Sequence, residues 1–384
     1  MDMQKHDTSY CDFRELSALV MTWNAGASKP THLRHDERDS NFFRDLLRAP
    51  REPPDFFVFG FQELVDLEDK KVTAKNIFKS SKKKDSSEKE HMAKQYRAWR
   101  DHLSSCLEQN MPERGAYTLL HSADLVGLFT CVFVKTSLRA SITDVQGAEV
   151  KLGMKGRYGN KGALLVRFLM DDSSLCFVNC HLAAGQKQTA HRNNDIAAIM
   201  EATVLRPQPD PQMQLDCFVS GGDGSMILDH EICILNGDLN YRIDAMSRDL
   251  VIREVAAGNL AKLLEKDQLL LSRKRNPGFR LRAFQEKELT FPPTYKYDVG
   301  TDTYDSSEKK RSPAWCDRLL FRGVGRIKQT EYRRHEVRVS DHRPVSGQFR
   351  IRVKTIDRRR QAEVRRGCEE RFEDVRQRVA YDIK

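Results

Sequence analysis

Five short apolar runs, each bounded at one end by hydrophilic residues able to do chemistry, constrain this chain more than any other feature. They are Leu19-Val20-Met21-Thr22-Trp23-Asn24, Phe56-Phe57-Val58-Phe59-Gly60-Phe61-Gln62-Glu63, and Leu175-Cys176-Phe177-Val178-Asn179-Cys180-His181. The fourth, Ile232-Cys233-Ile234-Leu235, runs into Asn236-Gly237-Asp238-Leu239-Asn240, and the fifth sets Ser340-Asp341-His342-Arg343-Pro344 before Val345. Short apolar runs bounded by turn formers read as buried strands. A lone Glu or His at a strand end is ordinarily a solvated terminus or a satisfied hydrogen-bonder. Five such ends, supplying Asn, Glu, His, Asp/Asn and Asp/His, exceed that explanation. Together they offer oxygen ligands for a hard cation, a base, and donors for developing negative charge, the needs of metal-assisted phosphoryl hydrolysis.

In the fourth run Gly237 breaks the strand and delivers Asp238 and Asn240 where strand becomes loop. Residues two apart on an extended segment point the same way, so a carboxylate and a carboxamide face one site. That pairing suits a base for water beside a group that orients it. An Asp and an Asn after a Gly are also ordinary turn formers, so this motif acquires meaning only with the others.

At these residues the sequence resembles the endonuclease/exonuclease/phosphatase superfamily, and more narrowly the inositol polyphosphate 5-phosphatases. The narrower resemblance rests on Gly156-Arg157-Tyr158-Gly159-Asn160-Lys161-Gly162, on Asn179 to Gly185, and on Gly237-Asp238-Leu239-Asn240-Tyr241-Arg242. It continues through Phe291-Pro292-Pro293-Thr294-Tyr295-Lys296-Tyr297, Pro313-Ala314-Trp315-Cys316-Asp317-Arg318 and Ser340 to Pro344. Six motifs in family order cover about Leu19 to Phe349. The resemblance implies an α+β fold of the DNase I-like kind, a two-sheet β-sandwich flanked by helices on both outer faces. It also implies Mg²⁺-dependent removal of the 5-phosphate from phosphoinositides or soluble inositol polyphosphates by in-line water attack.

The same resemblance distributes roles. Glu63 is expected to carry Mg²⁺, with Asn24 close to metal and phosphate and Asp341 near the metal or the water. Asp238 is the expected base and Asn240 its orienting partner. His342 is expected to contact the scissile phosphate, Asp317 to hydrogen-bond that imidazole, and His181 to donate to the phosphoryl oxygens. Arg157, Tyr158, Asn160, Lys161, Tyr241, Arg242, Tyr295 and Lys296 are the expected substrate contacts, with Lys161, Arg242 and Lys296 assigned to the 4-phosphate. A surface salt bridge is the ordinary fate of such cations.

Residues 1–16 read as a leader, 17–350 as the catalytic domain, and 351–384 as an amphipathic helix or linker. Within the domain, about 66–110 is a polar insert whose Lys79–Ser87 part reads as a loop. Residues 206–229 form a second loop, and helices are expected over 188–204 and 246–267. In the tail, Val364, Cys368, Phe372, Val375 and Val379 recur at helical spacing, which suits either a helix packed on its own domain or one directed at a partner or further domain. Nine scattered cysteines suit reduced thiols and not a disulfide framework. A cytoplasmic protein peripherally associated with membranes is the expectation.

The formal charge of +10 favours anionic partners: a polyphosphorylated inositol, an anionic membrane surface, or nucleic acid. A nuclease of the same superfamily would share Glu63, Asp238, Asn240 and His342. The segments Arg157–Lys161 and Pro293–Lys296 favour the phosphatase, so no nucleic-acid partner is expected. A basic module that only binds is a third alternative, opposed by a competent residue at each proposed catalytic position.

Overall fold

The computed structural model describes residues 6–65, 82–111, 116–153, 158–323 and 325–382. The strands in chain order are β1 (Cys11–Asn24), β2 (Phe56–Gln62), β3 (Tyr117–Leu125), β4 (Leu128–Lys135), β5 (Ile142–Leu152) and β6 (Tyr158–Met170). They continue as β7 (Ser173–His181), β8 (Ile232–Asp238), β9 (Asp317–Arg322), β10 (Ile327–Arg334) and β11 (Val345–Ile356). The helices are α1 (Asp7–Tyr10), α2 (Glu37–Arg48), α3 (Lys82–Asn110), α4 (Thr189–Glu201), α5 (Pro211–Cys217), α6 (Arg248–Ala256), α7 (Leu260–Leu264), α8 (Gln268–Arg275) and α9 (Arg358–Asp382).

One sheet has the order β10-β11-β1-β2-β4-β3 and the other β5-β6-β7-β8-β9. Each has a parallel pair, β1 with β2 and β7 with β8, among antiparallel neighbours. A parallel pair needs a crossover connection; α2 lies on the first and α4 and α5 on the second. Consequently β1, β2, β7 and β8 all finish at one edge of the sandwich, with His181 in register with Asp238 and Asn24 with Gln62. The antiparallel neighbours begin there: Asp317 opens β9 opposite Asp238, and His342 lies three residues before β11, whose Val345 pairs with Thr22. Topology alone gathers the hydrophilic ends.

Strand alternation builds the layers. Ala18, Val20, Phe56, Val58, Phe177, Ile232 and Ile234 meet between the sheets. The opposite parity, Leu19, Met21, Trp23, Phe57, Phe59 and Phe61, packs beneath α2 and α3 against Phe42, Leu46, Trp99 and Leu103. On the second sheet Cys176, Val178, Cys233 and Leu235 lie beneath Ile196, Ile199 and Met200 of α4. The runs are continuously apolar because both faces are covered. Each fully buried Leu or Phe contributes about 1.5–3 kcal/mol.

Several boundaries differ from expectation. β1 begins at Cys11, paired with Ile356, so residues 11–16 are sheet and not leader. Helix α3 starts at Lys82, ahead of the expected Glu88, while the remainder of the Lys79–Ser87 loop lies outside the described residues. The helix expected over 246–267 is broken: Gly258, at φ 73°, follows the end of α6, and Asp267 caps α8 by accepting from the Leu270 N–H at 3.0 Å. The loop over 206–229 contains α5. On α9, Cys368 is buried but Phe372 and Val375 are exposed, so only the first part of the stripe packs on the domain. All nine cysteines are free, and all but Cys106 are buried. No helix among the described residues is long and apolar enough to cross a membrane.

At the functional edge the sheets approach closely over Gly60. A Cβ there would fall 2.2 Å from Asn236 Nδ2 and 3.0 Å from Asn179 Cγ. Gly60→Ala is therefore expected to cost about 1–3 kcal/mol, read as a lower urea midpoint at an unchanged slope. A wild-type midpoint would show that the sheets can separate freely there.

Candidate active site

Asp238 sits at the centre of the edge, buried at the end of β8. Its Oδ2 accepts from Asn24 Nδ2 at 3.0 Å and lies 3.4 Å from His181 Nε2 and 3.8 Å from His342 Nε2. Its Oδ1 accepts from the Asn240 backbone N–H at 3.0 Å. Asn240 thus holds Asp238 through its main chain, in the left-handed region at φ 56° that Asn tolerates. Its side chain, expected to orient the water, instead donates to Leu182 O at 3.1 Å and accepts from Arg242 Nη2 at 2.6 Å.

His342 Nδ1 lies 2.9 Å from Asp317 Oδ2, which also accepts from the Thr294 hydroxyl at 2.6 Å. The pair is as expected from sequence; the Thr294 contact is an addition to it. Burial pushes the His342 pKa down, but Asp317 and Asp238 outweigh it and raise it to about 10. Burial likewise pushes Asp238 up, while His342, His181 and Lys161 pull it well below the usual carboxylate range. The resting site is therefore a buried cluster in which Asp238 and His342 favour each other's charged form, with the Lys161 ammonium beside them. Burial pushes the Asp317 carboxyl up against the pull of His342 and Thr294. Cys180 and Cys316 nearby are inert packing: burial drives both thiols upward, away from the nucleophilic thiolate.

Lys161 Nζ approaches His181 Nε2 to 2.5 Å, and His181 Nε2 is 3.5 Å from Glu63 Oε1. Burial lowers the Lys161 pKa, and Asp238 and Glu63 oppose that shift. Glu63 follows β2 in the left-handed region at φ 51°, a conformation costly for a residue of its size and frequent at functional sites. Its side chain is 44% exposed, open to a ligand, whereas Asp238 is enclosed.

The carboxylates that converge on the Lys161 ammonium form a cation-attracting field, and Glu63 with the Asn24 carboxamide adds oxygen donors of the kind a hard cation prefers. Asp238, Asp317 and His342 also bring potential ligand atoms within 4.8 Å of one another. There, however, Asp317 and His342 are committed to each other. Asp341, expected near the metal, gives one oxygen to Lys296 Nζ at 2.8 Å.

The expected substrate contacts divide. Tyr295 lies against the His342 ring at a centroid distance of 4.6 Å and beneath the Arg242 guanidinium at 4.4 Å. Tyr241 is a correction: it is fully buried, and its hydroxyl donates to Asn193 of α4 at 2.8 Å, away from the edge. Asn160 is half-buried in β6. Arg157 and the Tyr158 side chain lie outside the described residues. Of the cations assigned to the 4-phosphate, Lys161 contacts His181 and Lys296 contacts Asp341. Arg242 is buried, but it lines a cavity of about 650 Å³ together with Lys187, Lys309, Lys310 and Arg311. No ion pair among the described residues neutralises the exposed Lys187, Lys309 and Lys310 or the half-buried Arg311. The signal for them was the run Lys309-Lys310-Arg311 shortly before the Pro313–Arg318 motif.

Known proteins are similar to this chain over most of its length. The family model for Endonuclease/Exonuclease/phosphatase family 2 matches residues 21–348. A probable inositol polyphosphate 5-phosphatase of Schizosaccharomyces pombe is 49% identical over 93% of this chain, which spans only 30% of that protein. Type I inositol polyphosphate 5-phosphatase 8 of Arabidopsis thaliana is 34% identical over 91% of this chain and 74% of its own length. The crystal structure of the inositol polyphosphate 5-phosphatase domain of SPsynaptojanin, in complex with inositol (1,4)-bisphosphate and calcium ion, superposes with a TM-score of 0.74. It is 28% identical and covers 98% of this chain and 96% of that one. Cimex nitrophorin shares the fold alone, at 17% identity and a TM-score of 0.58.

Because the folded-state pKa of His342 lies above the unfolded value of about 6.5, its stabilisation is complete below that pH and is lost as pH rises through about 10. NMR titration of the imidazole should find it still protonated at pH 8, and Asp317→Asn should bring its titration downward. An imidazole that deprotonates near 6.5 in the wild type would refute the charged pair.

Proposed function

Because the chain belongs to the inositol polyphosphate 5-phosphatases of the endonuclease/exonuclease/phosphatase family, we propose that it hydrolyses the 5-phosphate of an inositol polyphosphate or phosphoinositide headgroup. The observation that carries this reading is Asp238, buried and ionised among Asn24, His181 and His342 at the edge where the parallel strands end. Fold alone would not suffice, since one fold hosts many activities.

In-line attack on phosphorus spreads charge over the phosphoryl oxygens. His342, held cationic by Asp317, and Lys161 with His181 supply donors to those oxygens. The same positive groups restrain Asp238 in the resting enzyme. When an anionic phosphoryl group takes up their charge, the restraint weakens, and Asp238 can accept the proton of an attacking water. The bond from phosphorus to the inositol oxygen breaks as the water attacks, and that oxygen leaves as a hydroxyl with a proton from solvent. Asn24 and the Asn240 N–H fix the carboxylate's orientation throughout. Mg²⁺ is the cation that the oxygen donors of Glu63 and Asn24 fit; bound there, it would neutralise charge on the phosphoryl oxygens.

Phosphates that are not cleaved need a second set of cations. The cavity beside Arg242, with Lys187, Lys309, Lys310 and Arg311, supplies them, and we assign the 4-phosphate to it. The net charge of +10 further favours approach to an anionic membrane, the surface on which a phosphoinositide is met.

Two measurements test this reading. Asp238→Asn should remain folded and lower turnover of inositol 1,4,5-trisphosphate by about 10²–10⁴, while Glu63→Gln should lose activity that added Mg²⁺ partly restores. Near-normal phosphate release by Asp238→Asn would sink the mechanism. Replacing Lys309 and Arg311 together by Gln should weaken 4,5-bisphosphorylated substrates by roughly ten- to a hundredfold relative to substrates lacking the 4-phosphate. Equal losses on both would remove the cavity from the specificity site.

A further inference from the structure

Gln268, the first residue of α8, is only 1% exposed yet lines the basic cavity. Its carboxamide is fully used. Oε1 accepts from Arg192 Nη2 at 2.5 Å and from the Arg242 backbone N–H at 2.9 Å. Nε2 donates to Gln186 O at 2.9 Å and to Asp244 Oδ1 at 2.6 Å. A primary amide has two donor hydrogens and two acceptor lone pairs, so each has a partner. The contact with Arg242 is reciprocal, because the Gln268 backbone N–H donates to Arg242 O at 2.9 Å.

These partners come from separate parts of the chain. Arg242 and Asp244 follow β8, and Gln186 follows the segment that leaves His181. Arg192 of α4 donates to Ala183 O at 3.1 Å and to Gly185 O at 2.7 Å. Three of the four partners, Gln186, Arg242 and Asp244, are themselves walls of the cavity. One side chain therefore sets the spacing between the segment after His181, the segment after Asp238 and the Arg242 main chain.

We propose that Gln268 is a positioning residue for substrate selection: its carboxamide holds the cavity walls so that Arg242 and its neighbouring cations receive the phosphate that is not cleaved. The inference rests on the 5-phosphatase reading and deepens it. Only an amide satisfies all four partners. A carboxylate of the same size keeps the contacts with Arg192 and the Arg242 N–H. It loses both donors, and it places an anion against Asp244 and Gln186 O. An unmet buried hydrogen bond is costly, and here the wall can relieve that cost only by moving.

The test compares wild type, Gln268→Glu and the double variant Gln268→Glu/Asp244→Asn, in which the new amide at 244 can donate to the new carboxylate. Inositol 1,4,5-trisphosphate and inositol 1,5-bisphosphate serve as substrates. Calorimetric binding of inositol 1,4-bisphosphate and inositol 1-phosphate reads the cavity without turnover. Gln268→Glu should raise KM for the trisphosphate and Kd for the 1,4-bisphosphate about tenfold, with kcat and the ligands lacking the 4-phosphate little changed. The double variant should recover part of the loss. Equal losses with both kinds of ligand, or no loss with either, would overturn the assignment, as would a double variant no better than the single one. If Gln268→Glu fails to fold, Asp244→Ala alone, which removes the acceptor of the Gln268 Nε2 donor, must show the same selective loss, smaller in size, and its absence overturns the proposal. Wild-type protein that binds the 1,4-bisphosphate but releases no 5-phosphate would instead fail the functional reading while leaving the cavity assignment to the binding arm.

Discussion

The two sheets are joined beneath the active edge by one carboxamide, that of Asn179, and the arrangement of the site depends on it. Its Oδ1 accepts from Gln62 Nε2 at 2.6 Å, with Asn236 Nδ2 at 3.4 Å. Its Nδ2 faces Phe61 O, Phe129 O and Thr130 Oγ1 at 3.0–3.1 Å. Gln62 donates in turn to Thr22 Oγ1 at 3.1 Å. Thr22, Asn179 and Asn236 each lie two residues before Asn24, His181 and Asp238, so they occupy the same inner face one layer deeper. The inner face thus changes from Val and Ile, to this polar layer, to the catalytic residues. Apolar side chains can slide past one another at little cost. Directional hydrogen bonds in a low dielectric cannot, and a satisfied buried network specifies one relative position of the sheets.

That rigidity permits the charge arrangement above it. Asp238 is held by Asn24 from the first sheet and by the Asn240 N–H from the second, while His342 enters from the start of β11. A buried carboxylate without partners would take up a proton. The imidazolium prevents this, and Asp317, braced by Thr294, maintains the imidazolium. Asp238 and His342 each keep the other ionised, so the cluster must be formed by both sheets together. A phosphoryl anion entering it meets donors already oriented, which is where electrostatic preorganisation is worth most.

Much of this was legible because it is local. An apolar run ending in a hydrophilic residue announces a strand and its active end, and period two tells which residues share a face. Asn24, Glu63, His181, Asp238, Asp317 and His342 all came from such signals or from the motifs around them. What the sequence concealed depends on residues distant along the chain. Arg242 looks like a free cation until Gln268, 26 residues later, is found bonded to its main chain. Tyr241 sits between two site residues, yet the left-handed turn at Asn240 past the end of β8 sends it to Asn193 of α4. Lys309, Lys310 and Arg311 are only a short basic run in the sequence, and nothing nearby reveals that the chain returns from the Tyr297–Tyr304 contact to the cavity beside Arg242. The break at Gly258 was visible as a residue but not as a boundary, since a single Gly is compatible with a continuing helix.

The division between what was legible and what was not follows a division of labour. The residues proposed to meet the scissile phosphate stand at or beside strand ends, where the sandwich fixes them to within the tolerance that catalysis demands. The cations proposed for the remaining phosphates stand on loops, coupled to the strands through side chains such as Gln268 and Arg192. Loops can change length and charge at modest cost in stability, whereas an altered strand end disturbs both sheets. A fold built this way can keep one hydrolytic centre while its substrate selection changes around it. The same sandwich in Cimex nitrophorin, at 17% identity, shows that the scaffold does not itself impose the chemistry. Specificity in this chain is therefore to be sought in the walls that Gln268 joins, and reactivity in the cluster that Asn179 supports.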